Sequence, residues 1–193
     1  RIYDSCADKD CLEDIQVFFS QSDQPYIDAA VNLKVKDVSV ADVQIEVEEI
    51  PFNQGFFSVN ATFIFAVKVE VYNSCSGPCQ QFVGIATHAK KAILYGSEAS
   101  SKSFTSDQVN TVIQPAALRA CNDQNLPKAV VQVVQPIVLA YRLCTPECCC
   151  CCCDPCCNLP DNIASQLNTL AGANNKVLLC TLGVFSIISL ERR

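Results

Sequence analysis

Methionine is absent from the 193 residues, histidine occurs once, glycine six times, and lysine and arginine form no cluster. The missing methionine means that Arg1 is no initiator, so the chain is expected to be a mature or partial product. The lone His88, in "GIATHAKKAIL" on an expected strand, reads as structural and leaves no Cys–His catalytic pair or histidine metal site. So few glycines provide no phosphate-cradling loop. A formal charge of −6 and a pI near 4.7 without a basic face argue against a nucleic-acid binder. The strongest membrane-span candidate, "VLLCTLGVFSIISL" from Val177 to Leu190, has fourteen residues. A helix needs roughly twenty to cross hydrocarbon, so this run reads as a buried strand and no membrane insertion is expected. No charged leader followed by an apolar core opens the chain, so no secretory signal is visible, and export stays an option.

What the chain does have is period-two alternation. Phe57, Val59, Ala61, Phe63, Phe65, Val67, Val69 and Val71 occupy successive odd positions, with Ser58, Asn60, Thr62, Lys68 and Glu70 among the residues between. That pattern predicts a long strand with one buried face. The Gly-Pro turn in "CSGPC" and the β-forming run Phe82 to Tyr95 follow, which predicts a hairpin closed at its tip by Cys75 and Cys79. Upstream, the apolar phase changes from odd (Val31, Leu33, Val35) to even (Val38, Val40) and back to odd (Val43, Ile45, Val47). Keeping one face buried then requires irregularities near Lys36-Asp37 and Ala41-Asp42. Ala129 to Leu143 is a further β-branched run, while only "SDQVNTVIQPAALRA" and "LPDNIASQLNTL" look helical. The expected fold is all-β, an antiparallel, jelly-roll-like β-sandwich. Its expected parts are an N-terminal cysteine-bearing arm over 1–14, a body over 15–143, a cysteine-rich insertion over 144–160, and a short helix with a final core strand over 161–193.

The fifteen cysteines exceed what a half-apolar chain of this length needs for folding. Nine fall in one tract: Cys144, then Cys148, Cys149, Cys150, Cys151, Cys152 and Cys153 in unbroken succession, then Cys156 and Cys157. Adjacent Cα atoms lie about 3.8 Å apart, below the usual disulfide range of about 4.4–6.8 Å. Cysteines two apart on a strand lie about 6.6 Å apart with parallel side chains, at the edge of that range. The run cannot readily consume its own thiols. In extended form it points about three to each side, as a crosslinking strip, and Pro146 and Pro155 favour extended backbone at its flanks. Cys6 and Cys11, in "DSCADKDC", stand on a polar segment that could reach a neighbouring subunit. The crosslinking candidates are therefore the tract together with Cys6, Cys11, Cys75, Cys79 and Cys121. Cys180, in an apolar strand, fits a buried thiol as well as a bridge. An odd total leaves at least one thiol over within a single chain, which a partner chain would use.

Clustered thiolates also suit zinc, copper(I) or iron–sulfur centres, but an uninterrupted run lacks the spacers that let ligands converge on one ion. The acidic "DKDCLED" and "EVEE" match no dedicated calcium loop and read as solvated faces. The Asn60-Ala61-Thr62 sequon lies inside the strongest strand and reads as incidental. No catalytic, cofactor or metal residue is expected.

In its "ECCCCCCDPCC" tract, its N-terminal "DSCADKDC" and the β-rich body between them, the chain resembles the cysteine-rich spore-surface proteins of endospore-forming bacteria, both exosporium-layer proteins and appendage subunits. The resemblance implies a β-sandwich stack in which Cys6 and Cys11 are thiols of an arm bonded to other subunits. The internal run of six departs from the appendage pattern. The expectation is a non-enzymatic structural subunit of an extracellular or spore-surface filament or layer, associating with itself through sheet edges and locked by disulfides between chains. Other spore-surface or cell-surface proteins are secondary partners. The alternatives are a thiolate metal-binding or electron-transfer protein, and a monomeric surface adhesin with internal disulfides.

Overall fold

The computed structural model describes residues 1–74, 77–97, 126–145 and 175–192. Among them are seven strands and one short helix: β1 (Ile2–Val17), α1 (Gln24–Asp28), β2 (Asn32–Glu49), β3 (Phe56–Tyr72), β4 (Gln80–Tyr95), β5 (Lys128–Val133), β6 (Ile137–Cys144) and β7 (Val177–Glu191). The two segments read as helical, Ser106 to Ala120 and Leu159 to Leu170, lie outside the described residues.

The alternating segment becomes β3, the centre of a three-stranded antiparallel meander ordered β2-β3-β4. Its odd residues from Phe57 to Val71 are all buried. β2 shifts register between Val35 and Asp37 and again between Val40 and Asp42. Those two shifts bring every apolar phase of β2 onto one face. Leu33, Val35, Val38, Val40, Val43, Ile45 and Val47 each lie opposite an odd residue of β3. Each shift inserts a residue where an unbroken pleat would have turned the apolar set to solvent.

The last strand of the chain is the middle of the second sheet. β7 pairs with β1 on one side and with both β5 and β6 on the other, all antiparallel. β5 and β6 act as one strand broken around Pro136, with the Val134 N–H still donating to the Phe185 carbonyl. Pro136 has no N–H to give the ladder, so the break falls where a ladder bond cannot form. Even residues of β7, from Leu178 to Leu190, point inward and meet the odd face of β3 in one core. A four-stranded sheet, with β5 and β6 end to end on one side of β7, packed on the three-stranded meander forms an antiparallel β-sandwich. Strands of up to 18 residues, at about 3.3 Å each, make it long relative to its width.

Residues 1–14, expected as an arm, lie instead in β1, whose Asp4 to Leu12 pair with β7 without interruption. The physical reason is that β7 is apolar on both faces and needs a neighbour on each side. The polar β1 supplies backbone partners there while its own side chains remain largely at the surface. At its end β1 crosses towards the other sheet, where Phe18 and Ile85 exchange two backbone hydrogen bonds of 2.8 Å. Gly84 allows this crossing, since a Cβ there would collide with Val17 and Phe19. Phe19 and Ile27 then close that end of the core.

Candidate functional site

β1 runs past β4 as the edge of its sheet, and the two are joined by side chains. Lys90 of β4 reaches Asp10 at 2.5 Å and Asp8 at 3.3 Å, and the Tyr95 N–H donates to Asp4 Oδ2 at 3.0 Å. Burial opposes the charge on Lys90, but its hydrogen bonds to Asp10 and Asp8 and their negative field outweigh this and hold its pKa above the ordinary 10.5. His88, two residues away, is pushed down by burial, with Asp10 pulling the other way. It sits within the β4 ladder opposite Phe63.

The strand geometry separates the two N-terminal thiols. Cys6 packs against the core, whereas Cys11, five residues on, is exposed on the opposite face. At about 3.3 Å per residue their Cα atoms lie about 16 Å apart, far beyond disulfide reach. Directly across the ladder from Cys11 on β7 is Gly183, which has no side chain, and Leu139 of β6 packs over that glycine. On the same face Lys9 and Glu13 flank Cys11, both exposed. Among the described residues neither enters an ion pair, while Asp8 and Asp10 are held by Lys90 and Asp14 by Arg142 at 2.7 Å.

A second group of thiols gathers at the α1 end of the sandwich. Cys79 is exposed just before β4, beside Tyr72, whose hydroxyl donates to Glu70 and whose pKa is raised chiefly by that bond. Cys79 is a free thiol among the described residues, and the expected closure of the β3–β4 hairpin by Cys75 and Cys79 involves Cys75, which lies outside them. The ladder itself holds the hairpin, with Val71 opposite Gln80. Cys144 ends β6 opposite Val177. Lys176, where the chain returns, is clamped: its N–H donates to Asp28, its ammonium to the Ala30 carbonyl, and its carbonyl accepts from Gln24. Both stems of the segment that carries the tract are thus fixed at this end. A cleft of about 370 Å³ opens beside them, between the start of β2 and the end of β6.

Cys75, Cys121, Cys148 to Cys153, Cys156 and Cys157 lie outside the described residues. Cys180 is fully buried on the inner face of β7, and desolvation pushes its thiol up to about 12, which leaves it unreactive. Among the described residues no three metal-ligating side chains converge. The sequence reading did not pick out Lys9, Glu13 and Lys90. The signal for Lys9 and Glu13 is the alternation of "DSCADKDCLE", which places Asp4, Cys6, Asp8 and Asp10 on one face and Lys9, Cys11 and Glu13 on the other, without the apolar contrast that marks most strands; Lys90 has no such signal. Comparison of the chain with protein-family models, with curated proteins and with solved structures finds no match.

Proposed function

We propose that this chain is a structural subunit that associates with copies of itself through sheet edges and is locked by disulfides between chains, building an extracellular or spore-surface filament or layer. The observation that carries this reading is Cys11, an exposed thiol in the middle of a long edge strand that, among the described residues, pairs with no strand but β7 along Ile2–Val17. An uncovered edge is a template for a further strand, and a thiol on it makes the association permanent. The tract supports the same conclusion from sequence. Six consecutive thiols exceed what their own backbone allows them to pair, and the stems of their segment are anchored at one end of the body.

Denaturing electrophoresis of native material, with and without strong reductant and alongside elemental analysis, tests the proposal. Ladders or material too large to enter the gel are expected to collapse to about 21 kDa on reduction. A monomer band in both lanes with stoichiometric metal would favour a thiolate metal protein. A compact monomer without metal would favour an internally bridged adhesin.

A further inference from the structure

Resting on that reading, we infer that the seam between subunits at β1 is homotypic: β1 pairs antiparallel with β1 of a second copy about a two-fold axis at Cys11, which bonds to its own symmetry mate. In this register each residue faces the one whose number completes a sum of twenty-two. Cys11 then meets Cys11, and Lys9 meets Glu13 twice over. These are the two charges on this face that have no ion-pair partner among the described residues, and the axis makes them each other's complement. The remaining carboxylates that this register brings near the seam, Asp8, Asp10 and Asp14, are already neutralised within the chain by Lys90 and Arg142.

The backbone sets the limits of the seam. Asp14 has φ of 48° and the β1–β7 register shifts between Leu12 and Ile15, so the regular stretch centred on Cys11 ends at Glu13. By symmetry it begins at Lys9. The Lys9 N–H donates to the carboxylate of Asp8, which places the odd N–H groups of β1 on the uncovered side. Cys11 would therefore face its mate as a hydrogen-bonded pair, with Cα atoms about 5.5 Å apart, inside the Cα range of a disulfide, while the Cβ atoms, at the wide end of about 4.5–5.5 Å, must be drawn closer by local strand movement for the bond to form. Lys9 already satisfies its N–H locally, so pairing exchanges bonds there, and side-chain complementarity fixes the register.

The covalent step needs an oxidant, and a small-molecule disulfide suffices. One Cys11 thiolate attacks it and expels one thiolate. The second Cys11 thiolate attacks the resulting mixed disulfide and expels the other. Two protein thiols are oxidised and one disulfide is reduced to two thiols.

Full-length protein oxidised with glutathione disulfide, then cut with trypsin without reduction, tests the seam. The peptide from Asp10 to Lys34 contains one cysteine, so its disulfide homodimer can only join two chains. That species is expected. Lys9→Glu and Glu13→Lys should each lower the yield of Cys11-dependent dimer by roughly three- to tenfold, and the double exchange should restore it, since the charges are complementary again. Cys11→Ser supplies the background. Cys11 joined to other cysteines, or reduced while other thiols crosslink, overturns the seam and leaves the proposed function standing. An unrestored double exchange overturns this register. Absence of any disulfide between chains overturns both readings.

Discussion

The two sheets of the sandwich are alike in length and unlike in what they turn to solvent. The outer face of β2-β3-β4 carries Ser58, Asn60, Thr62, Lys68 and Glu70 of β3, interrupted by Ile64 and Ala66, with Val83 and Ile93 of β4 exposed beside them. Glu70 is satisfied there by Lys36 at 3.1 Å, by Tyr72 and by Gln81, and the Lys36 bond foremost keeps its carboxyl below the usual range. The other sheet carries Phe185 and Ile187 on the outer face of β7, with Val134, Ile137 and Leu139 exposed along its broken edge strand. It also carries four of the five described thiols, Cys6, Cys11, Cys144 and Cys180, whereas no cysteine lies within β2, β3 or β4. The meander has no thiol and its edge strands are unbroken, whereas the β1-β7 sheet carries the thiols and a broken edge strand; exposed apolar side chains occur on both.

The largest effect should come from breaking the meander. Phe65 is fully buried at the centre of β3, stacked with Phe63 at 6.2 Å between ring centres and opposite Val40 and Ala86. Phe65→Ala is expected to cost about 3–5 kcal/mol, from lost burial and the cavity left behind. Denaturant unfolding of the reduced monomer measures it. An equal loss from truncating exposed Ile137 would erase the proposed difference between the sheets.

A smaller effect tests the connection between them. Lys90 has a side chain only 12% exposed and joins β4 to Asp8 and Asp10 of β1. Lys90→Ala should destabilise by about 1–2 kcal/mol, between the exposed and buried limits for ion pairs, because Asp8 is half in solvent. The pH dependence has a definite sign. With its folded pKa raised above 10.5, Lys90 contributes fully below that value, and the contribution is lost as pH rises through the folded pKa. Wild type and variant should therefore converge in stability at high pH, and a gap unchanged by alkali would mean that the charge is not what Lys90 supplies.

The comparison also explains what could be read in advance. β3 announced itself because apolar residues hold eight successive odd positions with mostly polar residues between them, and the two phase changes in β2 named the positions of its register shifts. β1 was hidden because its partner supplies the burial. Asp4, Asp8 and Asp10 occupy the face that a half-buried strand fills with valine, and what stabilises them there is Lys90 and the Tyr95 N–H, some eighty residues away. The bearing of Cys11 follows from β1 being a strand, so it too was invisible until the pairing with β7 was known. α1 is five residues long, too short to leave a periodic signature.

The smallest effect carries the opposite sign. Ser186, on the inner face of β7, is 1% exposed, and its hydroxyl has no hydrogen-bond partner among the described residues. A buried hydroxyl without a partner keeps its desolvation cost, and removing it returns that cost. Ser186→Ala should therefore leave the fold intact and raise stability by about 0.5–1 kcal/mol, seen as a higher midpoint in denaturant with an unchanged slope. Ser58→Ala in the meander, where the hydroxyl is within 3.5 Å of Asn60, should give no such gain. If Ser186→Ala destabilised instead, the Ser186 hydroxyl would contribute an interaction of its own, and the contrast between the sheets would be confined to their edges and thiols.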